Sequence, residues 1–191
     1  MISHHKKFIF IHIPKTAGFS MLKIFKLYRD DNRYATGHAT QRQYSKILDI
    51  QKYYQFAFVR NPWDRLCSAF FFLKSGGMNE HDQKISEKYD LPNITFTNFV
   101  LRHVTTINSI HCRPQYKFIE YKPADVDIYK FEDLHKGFDS VCTNLNVNHV
   151  LSHANKSKHK HYTEYYDDET RQIVAEKYAR DIEYFEYEFG E

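Results

Sequence analysis

The chain has 191 residues, 42% hydrophobic and 27% charged, with a formal net charge of +3; this is the size of one globular domain, and residues 1–191 are expected to fold as one around a continuous core. No apolar run approaches the length of a membrane span, and the first strand starts too close to Met1 to leave room for a signal peptide, so a soluble cytoplasmic protein is expected. The small positive charge argues against a dedicated nucleic-acid protein, and the three cysteines, Cys67, Cys112 and Cys142, have neither the even number of a disulfide framework nor the CxxC spacing of a zinc site, which leaves reduced, buried thiols.

Residues 8–13, FIFIHI, alternate and are rich in β-branched and aromatic side chains, the pattern of a buried strand. They run into Pro14-Lys15-Thr16-Ala17-Gly18-Phe19-Ser20 and then into a helix over 19–28 with Leu22, Ile24 and Phe25 inward. A strand that ends in a tight turn aims the N–H groups of the next helix at one point, and the helix dipole adds partial positive charge there. Lys15 adds a full charge, and Thr16 and Ser20 add hydroxyls. The nucleotide loop GxxxxGK[ST] is absent, so this is phosphate-loop logic with different wiring. An ordinary strand-to-helix turn with an exposed lysine would share these letters.

A short polar segment, 34–38, carries Gly37 and ends in His38; a helix is predicted over 40–50. A second strand, 54–59, runs into Arg60-Asn61-Pro62-Trp63-Asp64-Arg65 and an apolar helix over 66–73, with Pro62 suited to a first helical turn. Arg60 and Ser68 can grip a second anion, the arginine by its planar fork and the serine by its hydroxyl; the alternative use of Arg60 and Arg65 is surface pairing with Asp64. The plan of strand, basic turn and helix is thus used twice. It predicts an α/β fold with a central parallel sheet of about four or five strands flanked by helices, and ligands beyond the carboxyl ends of the strands.

Residues 75–92, with Gly76-Gly77 and many charges, read as a mobile surface insertion, either a lid over a site or a merely tolerated loop, with the lid preferred. A helix over 97–104, a third strand at 128–131 and a helix over 134–145 follow. Residues 156–166 form a basic, aromatic loop, and from 168 onward the spacing of Ile173, Val174, Tyr178, Ile182 and Phe185 predicts one long C-terminal helix with acidic residues in its first turn.

HIPKTAGFS (residues 12–20) together with FVRNPWDRLCSAF (58–70) closely resembles the two cofactor loops of sulfotransferases that use 3′-phosphoadenosine 5′-phosphosulfate, in particular the carbohydrate branch related to heparan sulfate 2-O-sulfotransferases and chondroitin sulfotransferases. His38 after Gly37, the run His111-Cys112-Arg113-Pro114-Gln115, the strand ending Glu132-Asp133-Leu134, Asn155-Lys156-Ser157 and the tail around Asp181-Ile182-Glu183-Tyr184-Phe185 extend the likeness along nearly the whole chain. The resemblance implies that residues Pro14, Lys15, Thr16, Ala17, Gly18, Phe19 and Ser20 hold the 5′-phosphosulfate, that Arg60 and Ser68 bind the 3′-phosphate, and that Asn155, Lys156 and Ser157 close over the cofactor. Phe19 stands where this family commonly has a small polar residue. The Golgi enzymes carry a membrane anchor, and a compact bacterial or viral-type soluble enzyme is the comparison expected to suit this chain.

The reaction then expected is transfer of a sulfuryl group to a hydroxyl of an acceptor, a carbohydrate by the resemblance, with adenosine 3′,5′-bisphosphate as the other product. The protein has to align the reactants, stabilise charge on the leaving phosphate through Lys15 and remove the hydroxyl proton; the scheme requires no metal. Histidine suits the last task, and His38 ranks first, ahead of His111 and Glu132. His12, in the strand, is expected to brace the loop. His111, Arg113 and Gln115 are candidates for contact with the acceptor, a small molecule or glycan, through which the enzyme would associate peripherally with glycan assembly; the same residues would equally serve as a structural turn around Pro114. The competing readings are a phosphate-loop nucleotide kinase and a non-catalytic module that binds a nucleotide or polyanion, the latter through Lys158, Lys160 and the neighbouring histidines.

Overall fold

The computed structural model describes residues 1–33, 37–121, 124–151 and 160–191. A four-stranded sheet of β1 (Ile2–Ser3), β2 (Phe8–Ile11), β3 (Tyr54–Val59) and β4 (Asp127–Lys130) lies at its centre in that spatial order. β2, β3 and β4 are mutually parallel, with Phe8 opposite Tyr54 and Phe56 opposite Asp127, whereas β1 pairs antiparallel with β2 as an edge strand. The expected α/β architecture is therefore present, with one strand reversed. A parallel strand needs a long crossover, and the residues between β2 and β3 provide it in α1 (Gly18–Phe25) and α2 (Gln41–Ser45).

The described residues divide into two compact units, Met1–Arg60 with Gln115–Lys156 and Asn61–Pro114 with Ser157–Glu191. In the first, one face of the sheet carries Phe8, Phe10, Phe56 and Phe58, and these pack with Met21 and Phe25 of α1. Phe138 and Val141 of α7 (Leu134–Asn144) join the same cluster. A Cβ at Gly137 would meet Tyr129 at 2.8 Å and Phe58 at 3.0 Å, so glycine is what lets α7 approach this face. On the opposite face, buried Gln55 accepts from Gln41 of α2 and donates to the carbonyl of Ile50, which satisfies a polar group that would otherwise be costly to bury. A short helix, α6 (Tyr116–Ile119), packs beside α2.

The second unit is helical: α3 (Pro62–Lys74), α4 (Glu80–Lys88), α5 (Phe96–His103), α8 (Asp168–Lys177) and α9 (Ala179–Phe185). Leu66, Phe70 and Leu73 of α3 form its core with Phe99, Val174 and Tyr178. The charged stretch 75–92, expected to be a mobile insertion, instead contains α4, which packs on α3 and buries Asp82, Ile85 and Ser86. Its many charges lie on the outer face, and this outer face dominated the sequence signal. The expected single C-terminal helix is two, broken at Tyr178, whose buried hydroxyl donates to the carbonyl of Cys112 while its backbone leaves the helical region at ψ 21°. The predicted helix over 40–50 is shorter as well, because a capping box at Thr40 starts α2 but the chain leaves the helix after Ser45.

All three cysteines are free and buried, and burial pushes the Cys112 thiol up to about 11, which makes it a poor nucleophile. No helix among the described residues is long and apolar enough to cross a membrane.

Candidate functional site

The parallel strands β2 and β3 deliver their carboxyl ends to the same edge of the sheet, and the turn after β2 is the most strained part of that edge. Lys15 and Ala17 both adopt the left-handed region, at φ 69° and φ 60°. Side chains with a Cβ avoid that region at a cost of about 1–2 kcal/mol per residue, so two such residues in one short turn mark a backbone shaped for something other than stability. Thr16 is fully buried, and its hydroxyl donates to the carbonyl of Ile13 at 2.9 Å, bracing the turn. Its hydrogen-bonding hydrogen is thereby committed to the loop, which leaves its backbone N–H as the group to offer a ligand.

Ala17 is the N-cap of α1 and has no side chain able to accept from the first turn. The N–H groups that no intrahelical carbonyl can reach thus point out of the turn with the positive end of the helix dipole behind them. Lys15 and Ser20 are half-buried at this end. Backbone donors, dipole and ammonium together form a cradle suited to a phosphate or sulfate group.

Gly18 opens the helix because the His12 imidazole occupies the space its side chain would need; a Cβ there would collide with His12 Nε2. His12 is buried, stacks on Phe10 with ring centroids 5.7 Å apart, and lies 4.3 Å from the His38 ring. The Nδ1 atom of His38 is 2.9 Å from the carbonyl oxygen of His12. A carbonyl only accepts, so Nδ1 carries the hydrogen and the neutral imidazole keeps its lone pair on Nε2. The chain thus holds His38 in the tautomer a general base requires.

Arg60 follows β3 directly. Its guanidinium lies 4.3 Å from the Phe131 ring centroid and donates to the carbonyl of Lys15 at 3.2 Å, which ties the end of β3 to the strained turn after β2. Gln115, fully buried, donates to the carbonyl of Arg60 at 2.8 Å and accepts from its N–H at 3.0 Å. Both ends of the amide are engaged by the Arg60 backbone, so the structure gives Gln115 a bracing role at the strand end.

The other sequence candidates divide by unit. In the second, His111 is buried with Nε2 3.1 Å from a carboxylate oxygen of Asp82 and its ring against Phe72, which places it in the packing of α3 and α4. Arg113 is exposed, and its carbonyl accepts from buried Arg65 at 2.9 Å. Ser68 is buried within α3. Glu132, in the first unit, is exposed in the single helical turn Phe131–Asp133 after β4. Asn155, Lys156 and Ser157, with Lys158 and His159, lie outside the described residues.

A cleft of about 230 Å³ adjoins His38 and His12. Its long wall is one face of α1 and the turn beyond, with Phe19, Leu22, Lys23, Lys26 and Arg29. None of the last four was singled out as functional from the sequence, although Phe19, Lys23 and Lys26 stand at i, i+4 and i+7, the spacing of one helical face. The signal was masked because Leu22 also reads as a core residue and charged helix positions usually face water.

Comparison with curated proteins and with solved structures gave no match. The sequence profile of the sulfotransferase family matches residues 1–188, both strand-to-helix turns and the intervening His38 included. Arg60 is hydrogen-bonded to the turn after β2 and His38 to the carbonyl of His12 within the matched region, and with this match the chain belongs to the sulfotransferase family.

Proposed function

We propose that the protein transfers a sulfuryl group from 3′-phosphoadenosine 5′-phosphosulfate to a hydroxyl of a carbohydrate acceptor, with His38 as the base. The observation that carries this reading is the hydrogen bond from His38 Nδ1 to the His12 carbonyl, 2.9 Å, which keeps the ring's lone pair on Nε2, in a residue that borders a cleft together with Phe19. The carbohydrate acceptor follows from the likeness of the two loops to the carbohydrate branch.

The residues suit such a donor. The 5′ end would be held by the backbone of the Pro14–Ser20 turn and by Lys15, and the 3′-phosphate by the Arg60 fork, which Phe131 and Gln115 keep in place. When bound, the donor supplies a sulfuryl group already electrophilic at sulfur and leaves as adenosine 3′,5′-bisphosphate. Lys15 then opposes the negative charge that builds on the departing phosphate, and the uncapped N-terminus of α1 adds to it. His38 takes the acceptor's hydroxyl proton on Nε2 and becomes an imidazolium cation with both nitrogens donating, its Nδ1–H still on the His12 carbonyl. His12, packed against Gly18 and against the His38 ring, holds that geometry.

Calorimetric titration of adenosine 3′,5′-bisphosphate, with ATP and AMP as controls, tests the donor. Binding that weakens by about tenfold or more on Arg60→Ala and is not matched by AMP is the expected result. Equal affinity for ATP, AMP and the bisphosphate would favour the kinase or polyanion-binding alternatives.

A further inference from the structure

We propose that Phe131 is a positioning residue: it holds Arg60 on the Lys15 carbonyl, and through that peptide Arg60 orients the Thr16 N–H and couples the two ends of the donor site. The coupling of donor ends rests on the sulfotransferase reading, but the relay from Phe131 to Thr16 stands on the first unit by itself.

Strand register brings these residues together. Val59 pairs with Lys130 across β3 and β4, so Arg60 and Phe131 leave two neighbouring strands at the same level. Ile11 pairs with Ala57, which carries the turn after β2 to that level on the other side of β3. Arg60 is only 8% exposed, and Phe131 is half-buried in the single helical turn Phe131–Asp133. The guanidinium carbon lies over the ring, 4.3 Å from its centroid, an attraction that holds the group without using any of its N–H donors. From Nη1 the guanidinium donates to the Lys15 carbonyl at 3.2 Å. A guanidinium carries several N–H donors in one plane, so it can keep that carbonyl and still grip a phosphate.

The Lys15 carbonyl and the Thr16 N–H belong to one planar trans peptide and point in opposite directions. A donor held on the carbonyl therefore fixes the direction of the N–H, and it polarises the peptide so that the N–H becomes a better donor. The peptide lies in the stretch where Lys15 and Ala17 are left-handed, at φ 69° and φ 60°, a conformation that persists only where surrounding contacts hold it. The Thr16 hydroxyl is engaged with the Ile13 carbonyl, so the backbone N–H is what this residue offers to an anion in the turn. An anion gripped by Arg60 immobilises the guanidinium and with it this peptide, which readies the turn for a second anion. Loss of the Phe131 ring loosens both ends at once.

Amide NMR and calorimetry on Phe131→Leu and Phe131→Tyr test the relay. In the ligand-free protein the Thr16 amide resonance should move in Phe131→Leu in the direction it takes in Arg60→Ala, and stay at the wild-type position in Phe131→Tyr, which keeps an aromatic face. Phe131→Leu should bind adenosine 3′,5′-bisphosphate about tenfold more weakly and AMP, which lacks the 3′-phosphate, about threefold more weakly, with Phe131→Tyr at the wild-type values for both. Adenosine 3′-monophosphate, with no 5′ group for the turn, should shift the Thr16 resonance of the wild type, a readout that holds even if Phe131→Leu fails to fold. A Thr16 resonance indifferent to Phe131→Leu or to the 3′-monophosphate would overturn the proposal. So would a loss of bisphosphate affinity with AMP binding intact, which confines Phe131 to one end, or an equal loss in Phe131→Tyr, which reduces its role to packing. Should the wild type bind the bisphosphate no better than AMP, the donor reading fails by itself, and the Thr16 resonances of the ligand-free wild type, Arg60→Ala and Phe131→Tyr still decide the relay.

Discussion

The chain turns from strand to helix twice by the same sequence plan, and the two turns are built for opposite ends. After β3, Asn61 caps α3 through its side chain, accepting from the N–H of Trp63 at 3.2 Å, and also donates to the carbonyl of Glu188 at 2.8 Å. Pro62 occupies the first helical position, where no N–H is missed. After β2, α1 begins at an alanine in the left-handed region with no side-chain cap, beside a lysine in the same region. One helix start is capped by a side chain; the other has no side-chain cap and carries two residues in the left-handed region. A helix N-terminus without a side-chain cap has more N–H groups to offer an anion, so under the proposed function the first turn would be the cradle and the second would contribute the Arg60 side chain just ahead of its cap.

The largest effect should come from the histidine that serves the first turn. His38→Ala is expected to lower turnover by about 10²–10⁴-fold while bisphosphate affinity stays within about twofold, measured by single-turnover kinetics beside calorimetry. Turnover near the wild-type value would remove the base from this turn and blur the contrast. Lys15→Ala should follow, with turnover down about 10²–10³-fold, since it removes the charge set against the leaving phosphate; an equal loss in ground-state affinity for the bisphosphate would instead make Lys15 a uniform binding residue.

Gly18→Ala puts a methyl group into the His12 ring and should cost about 1–3 kcal/mol of stability in denaturant unfolding, together with a loss of turnover as His12 and His38 are displaced. Unchanged stability would mean that the ring can move aside and that the close packing at the start of α1 is dispensable. The smallest effect belongs to the second turn. Asn61→Ala removes a cap and should cost about 1 kcal/mol of stability, with bisphosphate affinity unaltered. A matching loss of affinity would show that the second turn is not merely structural.

Much of the frame was legible because it is local. Strand periodicity identified β2, β3 and β4, and Pro62 and Thr40 marked helix starts by their own chemistry. The strand-to-helix turn itself was readable from PKTAGFS, since a proline and a glycine between an apolar strand and an amphipathic helix mark a break between two elements. The α4 segment was not, because its charges outnumber the few residues, Asp82, Ile85 and Ser86, that dock it on α3. Nor were the contacts of Gln115 with the Arg60 backbone and of His111 with Asp82 legible, since each joins residues far apart in the chain.

By itself, the sequence determined the parallel strands, the two strand-to-helix turns and the residue types of the site, because each depends on neighbours a few positions away. Tertiary structure alone decided which of the two turns stays uncapped, which nitrogen of His38 keeps its lone pair, and that Lys23, Lys26 and Arg29 share a cleft with that histidine. Those outcomes depend on contacts between residues distant in the chain, His38 with His12 and Arg60 with Lys15, and only the folded backbone brings such pairs within a hydrogen bond's length.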